Sequence, residues 1–220
     1  IAVAGGQVLD GVAVQVPGDL SSAAFVLLAA CISESADVVI RNVGINPTRT
    51  GIIDILLAMG ANIELENENV RSGEPVADIR VRSSRLRGID VDPALVSLAI
   101  DEFPVLFVAA ACAEGCTTFS GIGELRVKES DRIGAMAGRL PELGIKVDES
   151  ADGAVVHGGR LGGGTVESFG DHRIAMSLAL AGTVADAPVT VQNTDAVATS
   201  FPGFCGLFRS LGARIEEVEA

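Results

Sequence analysis

One stretch of the chain concentrates charged side chains just before a predicted helix. Between Gly123 and Arg139 the candidates for contact with an anion or for proton transfer are Arg126, Lys128, Glu129 and Arg132. Apolar residues recur at helical spacing from Ile133 to Leu140, which predicts a helix capped by Ser130 or Asp131, with Arg132 in its first turn. A cation there costs about 0.3–1 kcal/mol unless an anion lies close, because a helix N-terminus carries partial positive charge. The stretch therefore predicts a phosphate or carboxylate site.

A second interpretation of the same stretch is purely structural. Glu129 and Asp131 could pair with Lys128 and Arg132 on a solvated surface, and such pairs need no ligand. One observation mildly favours a specific role for the stretch. The chain has only two lysines, Lys128 and Lys146, and one of them lies within it.

The elements that would hold these side chains repeat three times along the chain. Each predicted unit contains an acid, an apolar helix, a strand, an amphipathic helix, a glycine and a further strand. The starting acids are Asp19, Asp101 and Asp171, and the closing glycines are Gly60, Gly144 and Gly212. The spacings between successive acids agree with those between successive glycines to within two residues. The pattern predicts three copies of an α/β unit.

The boundaries of several elements follow from hydrophobic patterning. The predicted apolar helices are Ser22–Cys31, Pro104–Ala113 and Arg173–Ala181. A helix over Phe201–Leu211 and a strand over Arg214–Val218 are predicted to end the third unit, and Ile1–Val16 is predicted to form a short strand or hairpin.

The repeated units would bring their helix entrances together. If they pack around a pseudo-threefold axis with the apolar helices parallel, three helix N-termini open onto one face. Arg49, Arg132 and Arg173 each lie at a helix entrance, which predicts a cleft for a small molecule with several negative charges. The three starting acids are candidate N-caps, and Asp101 could also accept a hydrogen bond from a hydroxyl group or act as a base. His172 lies next to Arg173, but it has no suitably spaced second ligand, so no metal is expected.

Composition argues against several classes of protein. The formal net charge of the 220 residues is −13, and nucleic acids and anionic membranes are bound through Lys and Arg, so neither is an expected partner. The longest apolar runs, Ala23–Ile32 and Phe103–Ala113, are shorter than the roughly 20 residues of a membrane span and predict buried helices. No secretion leader opens the chain, so no secretion is expected. The chain begins with Ile rather than Met, which we interpret as a fragment or a processed chain.

The cysteines predict neither a disulfide framework nor a zinc site. They are Cys31, Cys112, Cys116 and Cys205. All of them lie in or beside apolar helical stretches, without the spacing of a metal or redox motif. We therefore expect reduced, mostly buried thiols in a cytoplasmic protein.

Six motifs together resemble those of a known enzyme family. They are Asp19-Leu-Ser-Ser-Ala-Ala-Phe, Asn46-Pro-Thr-Arg-Thr-Gly, Asp101-Glu-Phe-Pro, Leu125-Arg-Val-Lys-Glu-Ser-Asp-Arg132, Asp171-His-Arg-Ile-Ala-Met176 and Ala198-Thr-Ser-Phe-Pro202. In this order, from about Val14 to the end, the chain resembles the C-terminal half of EPSP synthase (3-phosphoshikimate 1-carboxyvinyltransferase), in particular its class II branch. The run from Leu125 to Arg132 is the most specific of the six.

The resemblance implies an α/β fold: one EPSP synthase-type domain, an inside-out α/β barrel of three βαβαββ repeats around a pseudo-threefold axis. Residues 17–220 would form this C-terminal domain, with repeats at about 17–83, 84–158 and 159–220. Residues 1–16 would be the tail of a missing N-terminal domain or a linker. Because the active site of such an enzyme closes between two domains, this monomeric half-enzyme is expected to be inactive or nearly so on its own.

The resemblance also implies an activity and a role for individual residues. The family transfers the enolpyruvyl group of phosphoenolpyruvate to the 5-hydroxyl of shikimate 3-phosphate, in the shikimate pathway to chorismate and the aromatic amino acids, without a metal or other cofactor. Asp101 and Lys128 would hold shikimate 3-phosphate, with Asp101 on the attacking hydroxyl. Arg132 and Arg173 would bind phosphoenolpyruvate, and Glu129 would take part in proton transfer at its methylene carbon. Asp101, Glu129 and Lys128 are the candidate catalytic residues, and the resemblance leaves open which of them carries each proton transfer.

Two other functions remain open from the sequence. The sister transferase that acts on UDP-N-acetylglucosamine shares the fold, although the run Lys128-Glu-Ser-Asp-Arg132 argues against it. A non-catalytic anion-binding module is the other alternative. Arg49 and His172 are further candidates for the site in each case.

Overall fold

Three apolar helices form the centre of the computed structural model, which describes residues 1–218. They are α1 (Leu20–Ile32), α3 (Phe103–Cys112) and α5 (His172–Gly182), and each contacts the other two. Most residues of α1 and α3 are buried because these helices are apolar on nearly every side. The three predicted apolar helices are confirmed, each to within two residues at either end.

The outer helices end in the same way in each unit. α2 (Gly51–Ala58), α4 (Arg132–Glu142) and α7 (Phe204–Ser210) are each followed by one residue and then a glycine. Gly60, Gly144 and Gly212 have φ of 92°, 86° and 97°, the left-handed conformation that favours glycine. The next backbone N–H, that of Ala61, Ile145 and Ala213 respectively, donates to a carbonyl of the last helical turn. The predicted closing glycines are therefore confirmed.

The strands form three small sheets around the helices. β1 (Asp37–Gly44), β2 (Asn62–Arg71) and β3 (Glu74–Arg82) form an antiparallel sheet in the order β1-β3-β2. β4 (Cys116–Ser120), β5 (Val147–Ser150) and β6 (Gly153–His157) form the same arrangement in the order β4-β6-β5. β7 (Gly164–Glu167) and β8 (Val189–Gln192) pair in parallel across α5.

Each central helix joins two parallel segments of backbone. Isolated parallel bridges link Gly18 with Val43 across α1, and Asp90 with Thr118 across α3, as β7 pairs with β8 across α5. The chain is thus an α/β protein with the βαβ connection in every unit, which confirms the predicted fold class. Among the described residues, no helix has both the length and the apolar character that crossing a membrane requires.

Three predictions about single elements are wrong. Residues 214–218 form no strand: β2 and β5 each pair with a strand that follows them, and no such strand lies beside 214–218 in the described part of the chain. Residues 1–16 form neither strand nor hairpin and are exposed. The helix predicted from Phe201 begins only at Phe204, because Gly203 adopts φ of 84°, and a short helix, α6 (Ala196–Ser200), precedes it.

Candidate active site

The cation-rich loop before α4 is held in place by one of its own arginines. Arg126 lies in the last turn of a short 3-10 helix, Gly123–Val127, and donates to the backbone carbonyls of Ala151 and Ser150, at 2.8 and 2.6 Å. It also pairs with Asp131 and Glu149 at 2.7 and 2.8 Å. Arg126 therefore positions the loop against the turn after β5 and is not one of the clustered site cations described below.

Arg132, the first residue of α4, is buried against an acid from another unit. Its side chain is 1% exposed, and its Nε donates to Asp171 Oδ2 at 2.9 Å, where the Asp171 side chain is 0% exposed. Burial alone would raise the pKa of the Asp171 carboxyl. The hydrogen bond and charge of Arg132, with donors from Arg173 N–H and Ser130 Oγ, outweigh burial and lower that pKa. The pair is a buried ion pair that joins the second unit to the third.

The remaining nitrogens of Arg132 face two further carboxylates. Nη2 donates to Glu129 at 2.5 Å, and Nη1 lies 3.5 Å from Asp101 Oδ1. The Glu129 side chain is 55% exposed, in contrast to the buried Asp171. Nη2 also donates to Asp171 Oδ1 at 3.4 Å, so this nitrogen is shared between the buried Asp171 and Glu129, the carboxylate that solvent reaches.

Lys128 and Arg132 meet at Asp101, as the convergence of helix entrances predicts. Lys128 Nζ lies 3.5 Å from Asp101 Oδ1 and 3.1 Å from Glu124 Oε1. The hydrogen bond to Glu124 is the main cause that raises the pKa of the lysine, and the charge of Asp101 adds to it. The structural alternative is confirmed in part, because Glu129 does pair with Arg132. Lys128 contacts Asp101 and Glu124 instead, and Asp131 pairs with Arg126.

The third cation, Arg173, binds the same segment from α5. Its Nη1 donates to the backbone carbonyl of Asp101 at 3.0 Å and lies 3.7 Å from Glu102 Oε1. Glu102 is 5% exposed, and burial raises its pKa, although a hydrogen bond from Ser21 Oγ opposes this effect. Arg49 Nη2 donates to the same Ser21 hydroxyl at 2.8 Å. One hydrogen-bonded and charged network therefore links Arg49, from the first unit, to the other cations.

Two of the three starting acids cap their helices as predicted. Asp19 accepts hydrogen bonds from two backbone N–H groups of α1, at 3.2 and 2.9 Å, and Asp171 accepts one from the N–H of Arg173 at 2.9 Å. Asp101 does not cap α3, so that expectation is wrong. It lies in a 3-10 turn, Ile100–Glu102, which precedes the helix, and its carboxylate is turned to the cations instead.

His172 begins α5 and lies beside this network. It is half-buried, and burial lowers the pKa of its imidazole, with a further lowering from the positive charge of Arg173. A histidine so placed is neutral at pH 7.

Comparison with known families shows what the chain is related to. The sequence model of the family described as EPSP synthase (3-phosphoshikimate 1-carboxyvinyltransferase) matches residues 1–208. The chain belongs to the EPSP synthase family. A 3-phosphoshikimate 1-carboxyvinyltransferase of Legionella pneumophila (strain Lens) is 56% identical over 207 residues, which are 94% of this chain and 48% of that protein. Its counterpart in Nitrosococcus oceani is 55% identical over 98% of this chain and 48% of its own length.

Solved structures of other proteins have the same fold as this chain. The enzyme of Acinetobacter baumannii superposes with a TM-score of 0.92 at 51% identity, over 96% of this chain and 49% of the other. The enolpyruvyl transferase NikO of Streptomyces tendae has a TM-score of 0.70 at 20% identity, which shows a shared fold only. The chain spans about half the length of the relatives it matches.

The sequence analysis did not predict three members of the network in this EPSP synthase domain as site residues. Glu102, Ser21 and Glu124 each contact a predicted cation. For two of them the sequence does hold a signal of a role in the site: Glu102 follows Asp101 directly, and Ser21 lies in the Asp19 motif. Nothing local marks a glutamate as buried, because its burial depends on the packing of α1 and α5 against α3.

Proposed function

We propose that this chain is the C-terminal half of an enzyme that transfers the enolpyruvyl group of phosphoenolpyruvate to the 5-hydroxyl of shikimate 3-phosphate. Family membership supports the reaction class. The observation that carries the proposal is the meeting of Lys128, Arg132 and Arg173 around the single residue Asp101. Substrates with phosphate and carboxylate groups need clustered guanidinium and ammonium groups of this kind.

In this proposal residues 17–220 are the C-terminal domain, with repeats at about 17–83, 84–158 and 159–220. Residues 1–16 are the tail of an N-terminal domain or a linker to it. The relatives are about twice as long, which supports a second domain as the partner of this one. The thiols of the described residues are all free, which supports a cytoplasmic location. The whole enzyme is proposed to act as a monomer.

The proposed roles follow from the chemistry of addition to an enol phosphate and elimination of phosphate. The attacking hydroxyl must lose a proton and the methylene carbon must gain one; phosphate, held by positive charge, then leaves, and the new methyl group loses a proton to restore the double bond. Asp101 is the proposed contact of the hydroxyl, and Lys128 holds shikimate 3-phosphate beside it. Glu129 is the proposed proton-transfer group, and its exposed side chain 2.5 Å from Arg132 would place it beside phosphoenolpyruvate.

The ion pairs suggest how phosphoenolpyruvate would be received. Arg132 and Arg173 are the proposed ligands of its anionic groups. Because Arg132 is buried, the side of its guanidinium covered by Glu129 is the side that an anion can approach. A phosphate or carboxylate would then take the place of the Glu129 carboxylate, which frees Glu129 for proton transfer.

The balance of charge in the network explains why this half should act poorly alone. It holds four cations, which are Arg49, Lys128, Arg132 and Arg173. It also holds five acids, which are Asp101, Glu102, Glu124, Glu129 and Asp171. Local charge is therefore not positive, and an anionic substrate would need cations from the other domain. Negligible turnover is expected in an assay of phosphate release from the chain by itself.

A calorimetric titration with shikimate 3-phosphate tests the proposal directly. The chain should bind it weakly, and Lys128→Ala should abolish the heat of binding. Lys146→Ala is the matched control. It removes the other lysine, which directly precedes β5 and has a side chain that is 65% exposed, and it should leave affinity unchanged. Equal affinity in the two variants would contradict the role of Lys128. Near-normal turnover of the chain alone would contradict the proposal that it is half of an active site. If neither variant bound shikimate 3-phosphate at all, the result would favour a non-catalytic module with a different anionic ligand.

A further inference from the structure

A cysteine, a histidine and an aspartate form a hydrogen-bonded row away from the candidate active site. Cys116 Sγ lies 3.2 Å from His157 Nδ1, and His157 Nε2 lies 2.6 Å from Asp148 Oδ2. The row lies on the sheet of β4, β5 and β6, and β4 starts just after the C-terminal end of α3. Asp101 and Glu102, in the candidate active site, precede the N-terminal end of α3. The ten residues of α3 separate the two by about 15 Å.

The backbone around the row is closely packed. Cys116 and His157 are directly opposed in the β4–β6 pair. A Cβ added at Gly88 would lie 2.2 Å from the Cys116 carbonyl oxygen, and one at Gly158 would lie 1.7 Å from the Ala113 carbonyl oxygen. No side chain larger than hydrogen fits at either position. The backbone segments next to Cys116 and His157 are therefore packed directly against their neighbours. The thiol itself is exposed to solvent.

The partners of the imidazole decide which nitrogen faces the thiol. The hydrogen bond from Lys146 is the main cause that lowers the pKa of the Asp148 carboxyl, and the hydrogen bond from His157 adds to it. The carboxyl is therefore ionised at neutral pH. A carboxylate can only accept, so Nε2 of His157 carries the ring proton and donates it to Asp148. In the neutral imidazole Nδ1 is then the acceptor, and it lies 3.2 Å from the Cys116 thiol. A base so placed can take the proton of the thiol as its sulfur attacks.

The other cysteines lie in surroundings that disfavour the thiolate. Burial raises the pKa of Cys31 to about 11 and that of Cys112 to about 12. Burial also raises the pKa of Cys205, and a hydrogen bond that its thiol donates to the Glu217 carboxylate adds to the shift. Cys116 is the one exposed thiol with an imidazole in reach among the residues that the structure describes. Selective chemistry at a single sulfur is the expected consequence.

We propose that Cys116 is a site of reversible thiol modification by small disulfides, with His157 as its base and Asp148 as the residue that positions His157. In the reaction the Cys116 proton passes to Nδ1 of His157, and the sulfur attacks one sulfur of the disulfide. The S–S bond of the reagent breaks and a new one forms to Cys116. The departing thiolate takes a proton and leaves as a free thiol, so Cys116 is oxidised and one half of the reagent is reduced.

The test measures which thiol of the 220-residue chain reacts, and how fast, with the neutral reagent dithiodipyridine. Peptide mapping should place the first adduct on Cys116, and dithiothreitol should remove it. Cys116→Ser should abolish the fast phase. His157→Gln should slow it by about threefold to tenfold, because the thiol then has no base within reach to take its proton. Asp148→Asn should slow it also, and Asp148→Glu should restore the rate.

One comparison needs no variant and so does not depend on the folding of any of them. In the wild-type chain Cys116 should react faster when folded than when unfolded in urea at the same pH. A slower reaction in the folded chain would overturn the proposal, as would a first adduct on another cysteine or an unchanged rate in a folded His157→Gln variant. These outcomes do not involve the substrates of the proposed transferase, so either proposal can fail without the other.

Discussion

The entrances of α1 and α5 begin with the same residue type and do different things. Asp19 and Asp171 are both N-caps, and each accepts hydrogen bonds from the first turn of its helix. Asp19 is exposed and serves its own helix only. Asp171 is buried, and in addition to its cap it accepts from Arg132 of the second unit and from Ser130. The same local motif is therefore a helix signal in one unit and a part of the ionic network in another.

The difference lies in what the neighbouring unit supplies. Arg132 reaches Asp171 because α4 and α5 contact each other, so a carboxylate with two oxygens can cap one helix and pair with the other. Because the pair is buried, removal of only one partner should strongly destabilise the fold, since the charge of the other would remain out of water without compensation. A repeated motif thus does not imply a repeated role.

Removal of the Arg132 charge should have the largest effect on stability. Arg132→Met keeps most of the side-chain volume but leaves the Asp171 carboxylate buried without its partner. We expect a loss of about 3–5 kcal/mol in the free energy of unfolding, measured by urea denaturation. The matched control is Arg160→Met, which breaks an Arg–Asp pair of 2.6 Å whose arginine is 86% exposed, and should leave the urea midpoint nearly unchanged. Similar losses in the two variants would mean that burial does not distinguish the pairs.

The pH dependence of stability should differ in sign between two buried carboxyls of the network. The pKa of Asp171 is lower in the folded state, so its contribution is present above its unfolded value of about 3.9 and is lost as the pH falls through the folded value. The pKa of Glu102 is raised, so its contribution is present below about 4.3 and is lost as the pH rises through the folded value.

Two variants isolate these contributions in urea titrations at a series of pH values. Asp171→Asn should lose less stability than the wild type when the solution is acidified below about pH 4. Glu102→Gln should gain stability relative to the wild type as the pH rises above about 4. Curves for the two variants that diverge from the wild type in the same direction would contradict the opposite shifts.

The smallest effect is expected at the exposed cap of α1. Asp19→Ala removes the acceptor of two backbone N–H groups and should cost about 1 kcal/mol in the free energy of unfolding. Asp19→Asn keeps an acceptor at the same position and should change stability by only a few tenths of a kcal/mol. A large loss with Asn would show that the charge of Asp19, and not its cap, matters to the fold.

The elements were predictable where local physics decides them. The apolar helices, the closing glycines and the strand after each apolar helix follow from periodicity and from turn chemistry. The strand predicted at 214–218 failed because a strand depends on a partner, and hydrophobic alternation does not reveal whether one is present. Asp101 was misassigned as a cap because the 3-10 turn before α3 is not visible in the pattern of the sequence.

The sequence alone was enough to predict three α/β units, their family, and that Arg49, Arg132 and Arg173 lie at helix entrances on one face, since helix caps, periodicity and spacing are properties of short segments. Tertiary structure alone decided which carboxylate each cation meets. It buried Arg132 with Asp171, turned Asp101 to Lys128, and aligned Cys116 with His157 and Asp148 across three strands. These contacts join residues distant in the chain, and their strength depends on burial, which arises only when separate elements pack together.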